Sequence, residues 1–340
     1  MNGKIELLQV YRGFAALLVV LHHIASSCEF YLKFMPFNDF FKIGWSGVDF
    51  FFVLSGFIIT FKHYQDIGHP ESLLGYFKKR FYRIYPTYWV VSSFALFLML
   101  ISGMKIVHEE LLTIPFILKS YLLIPTTYPF LGVAWSLCYE VFFYVIFGFL
   151  VYYGNKLILP LIAFYVIFLF TVLFLNINNE VILFLGSPYH IEFLFGCTIA
   201  YINIKYKPSY NKLFFLFGLL LFSLGYFLCF KEIILKTSIF ARFFFGISSS
   251  LIIDQSLKIK TIYSFKKLLS LGNASFSLYL IHPIIIPIFF KSVAKLDLIY
   301  SNFYIYTIIV LCITSCYFIS LKYYEYIEEP LVKSLQTNRI

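Results

Sequence analysis

Ten stretches of about twenty predominantly apolar residues, the length a helix needs to cross a bilayer, follow one another along this chain with only short polar connections. They lie near residues 6–27, 43–63, 86–104, 132–153, 157–176, 188–204, 212–230, 237–257, 270–292 and 300–326. No other feature limits the fold so strongly. With 61% of its 340 residues hydrophobic and 13% charged, the chain lacks the polar shell of a water-soluble globule. The apolar runs are continuous rather than alternating, so a helical bundle is expected and an outer-membrane barrel is not. The expected fold is therefore all-α: a polytopic membrane protein of about ten transmembrane helices. One membrane domain covers 1–330 and a short cytoplasmic tail covers 331–340. Segment 106–131, broken by Pro115, Pro125 and Pro129, is too short to span and is expected to be re-entrant or interfacial. Only Lys4 precedes the first run and no cleavage site follows it, which predicts a retained helix rather than a signal peptide.

Orientation follows from the loop charges. Of the 27 Lys and Arg residues, sixteen fall on the side of the N-terminus, eight on the other side, and three (Arg12, Arg242 and Lys322) within spans. The bias predicts that both termini are cytoplasmic. It also accounts for the net charge of +10 without nucleic acid, since basic loops face anionic headgroups and any anionic cytoplasmic ligand. The six cysteines sit mostly within apolar runs, form no CxxC pair and read as buried thiols.

Polar residues inside apolar runs are costly and mark candidate chemistry. The first span, "VYRGFAALLVVLHHIAS", carries Arg12, His22 and His23. Eleven residues of α-helix turn three times plus about 20°, so His23 shares a face with Arg12, whereas His22 points about 80° away. Helical phase thus favours His23 as the functional histidine. The second span opens "GWSGVDFFFVLSGF", with Asp49 in its outer half and Ser55 near its middle; the fourth opens "AWSLCYEVFFY", with Trp135, Ser136 and Glu140 in its outer half. His23, Asp49 and Glu140 fall at similar depth, which predicts a general acid/base assembly in which a carboxylate orients the imidazole. A structural ion pair that fixes helix packing is the alternative.

In "YFKKRFYRIYPTYW", Arg80 and Arg83 stand one helical turn apart before a span expected to begin at Pro86. They read either as a positive-inside anchor or as a phosphate grip, guanidinium being suited to bidentate phosphate contacts. His282, followed by Pro283, either lines a cavity or is a structural histidine beside a proline kink. Arg242 and Glu192 are expected to pair structurally. No Walker loop, GxGxxG turn, HExxH helix or GxSxG elbow is present, and no metal site is expected.

Six of these segments occur together and in order: Arg12 with His23 as R-x10-H, "GVDFFFVLSGF" at 47–57, "KRFYRIYP" at 79–86, "WSLCYE" at 135–140, "SFSLYLIHP" at 275–283 and "EEP" at 328–330. In this order they resemble acyltransferase family 3, membrane O-acyltransferases that modify bacterial cell-surface sugars. The resemblance implies about ten helices in the bacterial inner membrane and acetyl-CoA or another acyl-CoA as donor substrate, with no permanently bound cofactor. It further implies a hydroxyl on a glycan or lipid-linked glycan as acceptor, and a catalytic role for His23. The chain ends about fourteen residues after the last span, like the members that lack an additional domain. On this reading Arg80 and Arg83 dock the CoA phosphates and Arg12 meets the inner part of the donor. His23 deprotonates the acceptor or carries the acyl group, with Glu140, Asp49 and Ser136 setting its tautomer or stabilising charge. Ser55, Trp135 and His282 complete the expected binding set. A proton-coupled transporter or flippase of a glycan precursor, using the same polar residues as a relay, is the competing reading.

Overall fold

The structure is a computed structural model and describes residues 2–102, 113–125, 129–175, 177, 179–259, 266–296 and 301–337. Fourteen α-helices account for most of them. The first half of the chain forms α1 (Asn2–Leu32), α2 (Ser46–His63), α3 (Leu73–Ser102), the short α4 (Ile114–Tyr121), α5 (Ala134–Tyr153), α6 (Ile158–Leu175) and the short α7 (Glu180–Leu185). The second half forms α8 (Tyr189–Lys205), α9 (Lys212–Phe230), α10 (Ile239–Ser256), α11 (Lys266–Asn273), α12 (Ser275–Ala294), α13 (Asn302–Tyr323) and α14 (Glu329–Thr337). No strand occurs among the described residues.

Among the described residues, nine helical segments are long and apolar enough to cross a membrane. The eighth expected span, α10, falls short because Arg242, Asp254 and Gln255 interrupt it, and all three are buried against neighbouring helices. Large apolar side chains such as Leu159, Phe174, Leu213 and Phe303 stay exposed on the outer helices, where lipid tails are as apolar as they are. The protein is a multi-pass, all-α membrane protein.

Backbone contact through small residues sets the inner helices. A Cβ at Gly47 would come within 2.3 Å of the Ala15 carbonyl, and one at Gly56 within 2.2 Å of the Phe193 carbonyl. The two glycines of "GVDFFFVLSGF" therefore let α2 lie directly on α1 and on α8, the close approach that membrane helices use in place of a hydrophobic driving force. This fixes how Asp49 and Ser55 are aimed.

Three expectations about element boundaries change. The third span does not start at Pro86. Helix α3 begins at Leu73 and carries Pro86 inside it, so Lys78, Lys79, Arg80 and Arg83 lie on a helical extension rather than in a loop. A proline inside a membrane helix is tolerated because packed neighbours satisfy the released carbonyl. The ninth run divides at Ala274 into α11 and α12, and α12 continues through Pro283 and Pro287. Within 106–131 the eight-residue α4 is held on α3: Tyr88 Oη donates to the Ser120 carbonyl at 2.7 Å and Trp89 Nε1 to the Tyr121 carbonyl at 2.9 Å. Residues 106–112 and 126–128 of that segment lie outside the described residues. A five-residue π-helical turn, Tyr324–Glu328, joins α13 to α14, and α14 runs across the expected tail boundary at 331.

Candidate active site

A cavity of about 1330 Å³ opens between the ends of α1, α2, α3, α8, α10 and α14. These are the ends that the loop charges assigned to one side. Exposed Lys62, Lys79 and Lys207 line its outer part, with half-buried Lys258, Arg12, Arg80 and Arg83. Its buried end is formed by Ser136 and Tyr279, with Ser55, Glu140 and Tyr144 on the wall. Among the described residues, seven Lys and Arg side chains line the cavity with one carboxylate, Glu140; Arg83 and Lys258 are each already paired, with Glu328 and Asp254. Such a surplus focuses a positive potential in a low-dielectric cleft and draws in an anion.

The three arginines are held differently. Arg83 donates to Glu328 Oε1 at 3.2 Å and lies over the Phe276 ring; Ser277 Oγ donates to the other oxygen of Glu328. The π-helical turn places this glutamate, and the closing "EEP" segment thereby locks onto "KRFYR". Arg80 Nη2 donates to His63 Nε2 at 3.2 Å, and His63 Nδ1 donates to Asp66 at 2.6 Å, which fixes the imidazole as the Nδ1–H tautomer. Arg12 donates to the neutral Gln9 at 3.0 Å and makes no ion pair among the described residues.

Glu140 Oε1 accepts from Ser55 Oγ at 3.0 Å and from Tyr144 Oη at 2.6 Å. Ser136, Glu140 and Tyr144 follow at four-residue spacing, each about 40° further round the helix, so α5 presents all three to the cavity. At the buried end, Ser136 Oγ and Tyr279 Oη are 2.6 Å apart and share the Val133 carbonyl as acceptor.

Behind Tyr279 lie the histidines. The Tyr279 and His282 ring centres are 5.9 Å apart, His282 and His23 5.0 Å, and His23 and His22 5.1 Å. Of the two histidines on α1, His23 is the one that meets α12, in line with its helical phase. His282 does not line the cavity and is fully buried beside His23.

The expected assembly of His23, Asp49 and Glu140 does not come together. Asp49 makes a fully buried ion pair with Arg242, which also donates to Glu192 Oε1 at 3.3 Å and to the Lys236 carbonyl at 2.6 Å. The guanidinium lies between the Trp45 and Tyr189 rings, 5.1 and 4.4 Å from their centres. The reason is helical phase along α2, since six residues from Asp49 to Ser55 turn about 240°. Ser55 therefore faces the cavity while Asp49 faces α10. Trp135 stands one residue before Ser136 and turns into an aromatic layer with Phe52, Tyr139 and Tyr189 instead of the cavity. The expected pairing of Arg242 with Glu192 is present, with Asp49 as an added partner.

Tyr144, Tyr279, His63 and Glu328 join the site without having been given a role in the sequence, although Tyr279 and Glu328 fall within "SFSLYLIHP" and "EEP". The four-residue step from Glu140 to Tyr144 was a usable signal; the other three depend on contacts between distant helices. Among the described residues no three His, Cys, Asp or Glu side chains form a metal-binding group. A family model described as an acyltransferase domain matches residues 6–322. Neither a curated protein nor a solved structure matches the chain.

Proposed function

The chain belongs to acyltransferase family 3, and from that premise we propose that this membrane acyltransferase moves an acyl group, acetyl in the first instance, from cytoplasmic acyl-CoA to a hydroxyl of a cell-surface or lipid-linked glycan. The observation that carries the donor assignment is the cavity. Seven cations and one carboxylate line it among the described residues, and one of those cations, Arg12, has there only the neutral Gln9 as partner. Ligand pockets for small molecules run from about 300 to 1,000 Å³, and this one, at about 1330 Å³, suits a larger polyanion with an extended arm. CoA is such a molecule, with phosphates at one end and a reactive thioester at the other.

In this reading the cavity opens to the cytoplasm of a bacterial inner membrane, with both termini on that side. The CoA phosphates sit among Arg80, Arg83 and the outer lysines, and Arg12 holds an anionic or polar group deeper in. The thioester points toward Ser136 and Tyr279 at the buried end, behind which the His282 and His23 rings follow in turn. The acceptor hydroxyl, approaching from the other side, gives its proton to His23. Its oxygen forms a new bond to the acyl carbon, the carbon–sulfur bond breaks, and the proton passes on to the CoA sulfur. Glu140 orients Ser55 and Tyr144 on the donor path instead of holding His23. Asp49 acts through the packing of α2 and α10.

The test is acceptor-dependent release of CoA from acetyl-CoA by purified protein in nanodiscs, with a membrane glycan extract from the host as acceptor source. His23→Ala is expected to lose about 10²–10⁴-fold in rate, the usual range for a general base, while His22→Ala keeps most of the activity. Folded wild-type protein that neither binds nor turns over acetyl-CoA with any extract would sink the donor assignment and bring forward the transporter reading.

A further inference from the structure

His282 is a fully buried histidine on a membrane helix, away from the cavity. Its Nδ1 lies 2.9 Å from the Leu278 carbonyl. A carbonyl can only accept, so Nδ1 carries the hydrogen and Nε2 carries the free lone pair. That Nε2 is buried with no hydrogen-bond partner among the described residues. A buried acceptor left bare is costly, on the order of 1–3 kcal/mol, and calls for an explanation. Beside it stands the His23 ring, 5.0 Å centre to centre, a separation that leaves room for a nitrogen–nitrogen hydrogen bond of ordinary length. The Tyr279 hydroxyl is already engaged with Ser136 and Val133 and does not supply the missing donor.

The geometry points to His282 as the second base of a two-histidine relay: when His23 takes the proton of the acceptor hydroxyl, it passes the proton on its other nitrogen to His282 Nε2. This rests on the acyltransferase reading above. The step balances. His23 gains one proton and loses one, so it stays neutral; His282 becomes the imidazolium, with its Nδ1–H still held by Leu278. As the carbon–sulfur bond breaks, the protons retrace the path and the CoA thiolate leaves as the thiol. The relay moves the positive charge off the ring that takes the acceptor's proton at the moment of attack. His282 is thus a positioning and proton-accepting residue that acts through His23 and does not touch substrate.

The experiment is single-turnover release of CoA from acetyl-CoA with the glycan extract, run in mixtures of light and heavy water. Two protons moving together give a rate that bows against the deuterium fraction; one proton gives a straight line. Wild type is expected to bow. His282→Asn keeps a donor for the Leu278 carbonyl and is expected to give a straight line, with kcat about 10²-fold lower and KM for acetyl-CoA unchanged. His282→Gln can accept a hydrogen bond from His23 but cannot take a proton, and is expected to be equally slow. A straight line from wild type, a normal rate in His282→Asn, or restoration of the rate in His282→Gln would each overturn the relay while leaving acyl transfer intact. Absence of any acetyl-CoA turnover by wild type would overturn the acyltransferase reading and the relay together.

Discussion

Arg242 and Arg12 are both arginines in the interior of a membrane bundle, yet their surroundings are opposite. Arg242 meets two carboxylates, a backbone carbonyl and two aromatic faces, all supplied by the protein and all closed to solvent. Arg12 lines a cavity, leans on a neutral glutamine and has no carboxylate partner among the described residues. Both charges cost free energy to place in a membrane helix. Where the compensation lies inside the fold, the charge serves stability; where it is missing, the charge is addressed to something that arrives. Arg83 falls between the two, on the cavity wall but already held by Glu328.

This contrast can be broken by mutation, and the largest effect belongs to the closed cluster. Arg242→Ala strands two buried carboxylates and should cost about 3–5 kcal/mol, read as a sharp loss of melting temperature in detergent with no donor present. A stable Arg242→Ala with a raised KM for acetyl-CoA would show the cluster to be part of the ligand site. Arg12→Gln should do the reverse. Loss of a charged contact worth about 1.5–3 kcal/mol raises the KM for acetyl-CoA about 10–100-fold. The melting temperature without donor stays near wild type, while stabilisation by added acetyl-CoA disappears.

Glu328→Gln sharpens the intermediate case. The amide still accepts from Arg83 but no longer neutralises it, so stability should fall by only about 1 kcal/mol while acetyl-CoA binds a fewfold more tightly. Weaker binding would mean that Glu328 aims Arg83 at the donor. Smallest are the exposed lysines: Lys62→Gln or Lys207→Gln should each weaken donor binding by less than about fivefold, and added salt should erase the difference because surface charges are screened.

Much of this was legible in one dimension. Apolar run length gave the spans, because a bilayer demands a fixed length of satisfied backbone. The eleven-residue spacing of Arg12 and His23 gave their shared face, because an α-helix has a fixed period. The four-residue spacing of Ser136, Glu140 and Tyr144 held the same information. Reading Asp49 and Glu140 into one assembly with His23 rested on depth alone. Depth is one coordinate, whereas contact also needs the rotation of each helix and the identity of its neighbours. Gly47 and Gly56 set that rotation for α2, turning Asp49 to α10 and Ser55 to the cavity.

By itself, then, the sequence determined the all-helical membrane class, the basic end of the bundle and the facing of residues along any one helix, all of which follow from local composition and period. Only the tertiary structure decided which carboxylate meets which arginine, that Arg12 is left without one among the described residues, and that His282 stands beside His23. Each of those pairings joins residues far apart in the chain, and helix packing, which no local period records, selects the partner.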